Sequence, residues 1–215
     1  LVNASLGNTL NNNNLSQVQI IGQSIGGCTS IFHVLKIAQA LLKQGAYKNI
    51  LVVASDIVPE GFDRMYQFGI YSDCSSCFLL SSEEKKGYKL KNIHVASDTK
   101  LMSGIMENPD SHFIHLKKIH SKAMDFKEND KTKVEKVFMT NLFKPIMNIN
   151  LARLGYKKPQ HFYENIKEVG HCFASDPLIN MATYENENEI TEGTMFTLAA
   201  MASGHAGFAI IEKHH

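Results

Sequence analysis

Apolar positions along the chain follow two periods. From Ile31 to Leu42 they recur at helical spacing (Ile31, Phe32, Val34, Leu35, Ile37, Ala38, Leu41, Leu42), and Gly45 closes the run as a helix stop. Elsewhere they gather into continuous runs of strand length. "VQIIGQS" (18–24), "NILVVASD" (49–56), "SSCFLLSS" (75–82) and "LKNIHVASDT" (90–99) are four such runs. Two more lie in "GTMFTLAAMASGHAGFAIIEK" (193–213), joined by the small-residue loop "ASGHAG". The order strand, helix, strand over 18–56 predicts a parallel crossover unit of an α/β protein, with 49–56 covered on both faces. "NLFKPIMNINLARLGYK" (141–157) reads as a second helix ended by Gly155, its Pro145 admissible only in the first turn.

Between these elements the chain is polar. The opening "LVNASLGNTLNNNN" suits a loop. The charged turn over 83–88 marks the internal boundary, and a long polar middle with the breaker "NPD" follows from Thr99 to Lys136. The expected division is 1–87 and 88–213, with 214–215 read as a tag remnant. No sequence repeat stands out, but the order of elements is similar in the two halves.

Composition narrows the picture without deciding it. The 215 residues, 44% hydrophobic and 20% charged, suffice for a buried core. A net charge of +1 from 22 basic and 21 acidic residues gives no nucleic-acid footprint, and the local clusters "HLKKIHSK" and "KENDKTKVEK" read as solvated faces. No apolar run reaches membrane-spanning length, and no signal-peptide pattern stands at the start. Four cysteines are too sparse for a disulfide scaffold, so a reducing cytoplasm is the expected setting.

Candidate chemistry centres on "GGCTSIF". Cys28 follows Gly26 and Gly27 at the head of the first helix, where free N–H groups and the helix dipole favour a thiolate. Glycines there let a substrate approach the backbone. The same residue is equally a small buried thiol at a packing point, and local features leave both readings open. Cys74 and Cys77 form a C-x-x-C pair whose side chains point to opposite faces of a strand, which argues for two core thiols rather than a metal or redox pair. Cys172 and His33 read as packing residues.

The stretch "GGCTSIFHVLKIAQALLKQGAYKNILVVASD" (26–56) resembles the nucleophile segment of the beta-ketoacyl-acyl-carrier-protein synthase III family, of thiolase fold. In order along the chain, "FGIYSDCSSCFLL", "VGHCFASDPLINM" and "ASGHAGFAIIEK" resemble the family's Phe-Gly-Asp-Gly-Ala strand, its Gly-Asn-Thr-Ser-Ala-Ala-Ser turn and its terminal Gly-rich loop. The resemblance implies a layered α/β thiolase-like fold of two similar βαβ-type halves. The family's first elements have no counterpart before "VQIIGQS", so it also implies a first half that is incomplete here, completed by an N-terminal portion or a complementing chain.

Function follows as an implication of that resemblance. Cys28 is the expected nucleophile, accepting an acyl group from acyl-CoA or acyl-carrier protein, with the N–H groups of Cys28 and Gly204 (Ser203 if the register moves by one) as the oxyanion hole. The family's helix-start histidine falls on Asn141 (Thr140 with the gap moved by one), and its glycine-turn asparagine falls on His171, so the two types stand exchanged. Asp176, five residues after His171, adds a carboxylate to the same turn, as in some ester-forming relatives. The primary expectation is decarboxylative condensation onto a malonyl thioester, in fatty-acid or secondary-metabolite synthesis. Ester or amide formation, or a non-catalytic partner subunit, are the alternatives. The thioester substrate's phosphopantetheine arm is the only cofactor-like group implied, with none tightly bound and no metal. The expected partners are coenzyme A or a carrier protein and a second copy of the chain.

Overall fold

The computed structural model describes residues 2–66, 69–84, 86–102, 131–202 and 204–214. The cluster "HLKKIHSK", most of the polar middle and Ser203 lie outside the described residues. A helix α1 (Val2–Asn12) comes first. The Cys28 segment is a 3-10 turn (Gly27–Thr29) running into α2 (Ser30–Lys43). Then come β1 (Asn49–Asp56), the short β2 (Met65–Tyr66) and β3 (Gly69–Ile70), β4 (Cys74–Ser81), β5 (Gly87–Ser97) and α3 (Thr99–Met102). After the undescribed stretch follow β6 (Val134–Phe138), α4 (Lys144–Arg153), β7 (His161–Phe162) and α5 (Asn165–Glu168). A second 3-10 turn (Phe173–Ser175) leads into α6 (Asp176–Glu187), and β8 (Met195–Ala202) and β9 (His205–His214) close the fold.

Two sheets organise these elements. A five-stranded mixed sheet runs β5-β9-β8-β6-β7, and β1 pairs antiparallel with β4 in a separate two-stranded sheet. The five strands are bound on one face by a cluster built on Met147 and Leu151 of α4 and Leu154 at its C-terminal end. On the other face Phe32 and Leu35 of α2 and Met181 of α6 pack with Phe138, Phe196 and Val52, so α2 and α6 lie between the two sheets. The expected layered α/β architecture is the one observed.

The two halves repeat one unit. A 3-10 turn, a helix, a strand and an antiparallel strand appear as Gly27–Thr29, α2, β1, β4 and again as Phe173–Ser175, α6, β8, β9. The second unit sits in a five-stranded sheet, whereas among the described residues the first has only its own pair. Packing sets the two 3-10 turns against each other. This places the heads of α2 and α6 face to face.

Several sequence expectations change here. Residues 18–24 form no strand, and Ile20 and Ile21 are exposed, because no described strand offers them a ladder. The opening stretch is helical over 2–12 rather than a loop, with the Thr9 hydroxyl and the Asn13 amide donating to carbonyls four residues back. β1 is covered on one face only: Leu51 and Val53 are 58% and 62% exposed. Cys77 is exposed rather than a core thiol, whereas Cys74, on the opposite face of β4, is half-buried.

The seat of α2 depends on a missing side chain. Phe32 is fully buried, and a Cβ added at Gly207 of β9 would meet its ring at 2.4 Å. The backbone of Gly207 has no positive φ, so the constraint is contact alone. Gly207→Ala is therefore expected to destabilise the fold by about 1–3 kcal/mol through overpacking, read as a lower denaturant midpoint at unchanged slope.

Candidate active site

Gly26 and Gly27 adopt φ of 119° and 51°, a turn that a side chain at either position would strain. Gly27 also backs onto Ala202 at the end of β8, where an added Cβ would stand 3.3 Å away. The Thr29 hydroxyl donates to the Gly26 carbonyl at 2.8 Å and closes the turn. Cys28 is thereby presented half-buried at the head of α2, facing the second 3-10 turn.

His171 meets it from the other unit. Cys28 Sγ lies 3.2 Å from His171 Nε2, and His171 Nδ1 lies 2.5 Å from Asp176 Oδ2. Asp176, fully buried at the first position of α6, also accepts the Asn141 N–H on Oδ2 and the Cys172 N–H on Oδ1, each at 2.7 Å. Backbone amides only donate, so they hold the carboxylate as an acceptor. His171 Nδ1 must then carry the proton. In the neutral ring Nε2 is left as the acceptor facing sulfur, the tautomer a general base requires. Burial opposes charging this imidazole, but Asp176 on one side and Cys28 on the other outweigh it and raise its pKa to about 10.

Asn141 is drawn to the same carboxylate through its backbone, and its side chain is 1% exposed. Asn180 Nδ2 donates to Asn141 Oδ1 at 2.8 Å, and Asn141 Nδ2 is left buried with no hydrogen-bond partner. Asn141 lines a cavity of about 540 Å³ together with Gly69, Ile70, Phe143 and Gly170. Thr140, its off-by-one alternative, donates its hydroxyl to Met147 Sδ and faces the core. Gly204 has a φ of 74°, and a Cβ there would collide with Met102 and the Asp98 carbonyl. It lies two residues beyond Ala202, the neighbour of the Cys28 turn.

Sequence reasoning missed how the His171 turn is held. The β3–β4 segment grips it: His171 N–H donates to Ile70 O at 2.8 Å and Ser72 N–H to His171 O at 3.0 Å. The Ser72 hydroxyl donates to Val169 O at 2.5 Å, and the Ser76 hydroxyl bonds that of Ser175 at 2.8 Å. The Tyr71 ring stacks on Phe173 at 4.9 Å, and both rings contact the imidazole. Gly170, with φ of 74°, has no room for a Cβ, which would stand 2.6 Å from Ile70 O. Its place in "VGHCF" was the one available signal. Cys172 is buried and burial pushes its thiol up, and His33 packs edge-on to His205. Among the described residues no group of three His, Cys, Asp or Glu is placed to hold a metal ion, and no helix is long and apolar enough to cross a membrane.

Comparison with known proteins bears on the fold. Residues 25–99 match the family model described as 3-oxoacyl-[acyl-carrier-protein (ACP)] synthase III. No curated protein sequence matches the chain. Among solved structures, 3-oxoacyl-[acyl-carrier-protein] synthase III from Aquifex aeolicus superposes with a TM-score of 0.74 at 17% identity, over 95% of this chain and 70% of that one. ChlB3, described as an acyltransferase, gives 0.73 at 18% identity, over 87% of this chain and 65% of its own. An OleA protein of Xanthomonas campestris gives 0.75 at 12%, over 96% and 69%. The chain thus spans 65–70% of the length of these solved chains. The resemblance read from the sequence is borne out, and so is the thiolase-like fold.

Proposed function

We propose that the chain performs acyl transfer through a covalent thioester on Cys28. The observation that carries this reading is the continuous line from Cys28 Sγ through His171 to the buried Asp176. Sulfur attacks the carbonyl carbon of an acyl-CoA or acyl-carrier-protein thioester while His171 Nε2 holds the thiol proton. The oxyanion is stabilised by the N–H groups of Cys28 and Gly204. His171 returns the proton to the departing thiol of the donor, and the acyl group stays on Cys28.

The second half-reaction is transfer to a hydroxyl or amine. Acylation removes the charge that Cys28 contributes to the raised pKa of His171, which brings the imidazole back toward the range of a working base. His171 then takes a proton from the acceptor as it attacks the thioester. Condensation onto a malonyl thioester is the second reading, favoured by the unpartnered Asn141 Nδ2, a donor available to an enolate oxygen. A second copy or a complementing chain would cover the exposed Leu51, Val53 and Leu79 on the outer face of β1 and β4.

Turnover of an acyl-CoA by the protein, offered alcohols and amines in one series and malonyl-carrier protein in another, separates the readings. Ester or amide product without carbon dioxide release is the expected outcome. Stoichiometric carbon dioxide with a ketoacyl product would assign condensation instead.

A further inference from the structure

A second cavity, of about 290 Å³, opens beside the His171 turn, lined by Asp56, Val58, Phe62, Tyr71 and Phe173 among others. Its walls are apolar, and none of its lining residues is basic. Tyr71 and Phe173 form a stacked pair whose rings also touch the imidazole of His171, at 5.6 and 5.2 Å between centroids. The cavity therefore abuts the group that would activate an acceptor.

Asp56 is the one charged side chain in that lining. It ends β1, is half-buried, and accepts a backbone hydrogen bond from Ala174 in the second 3-10 turn. Burial raises its pKa, opposed by the Ala174 bond and by His171, while Asp176 adds to the rise. On the rim, Arg64 is already paired with Asp73 at 2.8 Å, and Asp73 also accepts the Val58 N–H. Asp56 and Asp176 set two carboxylates beside the one imidazole of His171, an acidic excess whether or not that ring is charged. A cation entering the cavity relieves that excess, and a carboxylate entering it adds to it.

Building on the acyl-transfer reading, we propose that this cavity seats the acceptor, and that Asp56 selects one with a cationic amine on a short apolar body and a free hydroxyl. The ammonium pairs with Asp56, and the apolar body lies against Tyr71 and Phe173. The hydroxyl oxygen attacks the Cys28 thioester carbon, and the carbon–sulfur bond breaks. Its proton passes through His171 to the Cys28 sulfur, leaving an ester and the free thiol. The same charge excess disfavours the carboxylate of a malonyl acceptor.

Three alcohols of matched length test this: aminobutanol as the cation, pentanol as the neutral and hydroxybutyrate as the anion. Their binding to the unacylated protein is measured by saturation-transfer NMR, so that the result does not depend on acyl transfer. Acylation of Cys28 is followed separately in the same preparation. Aminobutanol is expected to bind about tenfold tighter than hydroxybutyrate. In Asp56→Asn, whose Oδ1 still accepts the Ala174 N–H, the ratio falls to within about twofold. Binding in the wild type that ignores acceptor charge overturns the proposal, as does a preference that survives in Asp56→Asn. Failure of Cys28 to take an acyl group would count against the transfer reading and not against the cavity's selectivity.

Discussion

Replacing His171 by alanine is expected to slow acyl transfer by about 10²–10⁴-fold while the fold survives. Its Nε2 is the group at 3.2 Å from Cys28 Sγ, and its ring is fixed on the other side by Asp176. Among the described residues the hydrogen bond to that sulfur comes from His171, so it is the ring placed to take the proton. The loss should fall on kcat and on kcat/KM alike, because the ring acts on the reacting atoms rather than on the substrate's distant parts. Stopped assays with a chromogenic acyl thioester measure it. A variant that keeps a rate within threefold of wild type would remove His171 from the reaction.

Asp176→Asn is the second large effect, expected on the order of 10³-fold. The two carboxylate oxygens accept three N–H groups, from His171, Asn141 and Cys172. An amide has only one acceptor oxygen. Whichever way it turns, its NH₂ faces a donor, and with the NH₂ toward His171 the ring is pushed into the tautomer that donates at sulfur. Stability should report the same contact. The folded pKa of His171, about 10, is raised above its ordinary 6.5, so its stabilising contribution is complete below pH 6.5 and is lost as pH rises toward 10. Denaturant midpoints of the wild type should fall across that window, and those of Asp176→Asn should fall less. An equal alkaline loss in both proteins would show that the pair does not hold the imidazolium.

What the sequence revealed depended on how local each signal was. Helix α2 was legible from its apolar spacing and Gly45, and β8 and β9 from continuous apolar runs, because burial on both faces leaves no alternation to misread. Residues 18–24 carry the same kind of run, yet they form no strand: apolar content is local, but a ladder needs a partner edge. His171 and Asn141 could be singled out by their order along the chain, and the structure does bring both to Asp176. The clamp of Ser72, Ser76 and Tyr71 on the His171 turn was out of reach, since it joins residues about a hundred positions apart. Asp56 was visible only as the end of a strand, and its place beside the imidazole comes from the packing of β1 against the second 3-10 turn.

The most direct test of the account is the mass of the intact protein after incubation with acyl-CoA donors from acetyl to long-chain. One acyl group per chain, mapped by peptide analysis to Cys28 and absent from a folded Cys28→Ala variant, is the predicted result. A folded wild-type protein that acquires no adduct from any donor, or acquires one that Cys28→Ala retains, would contradict it.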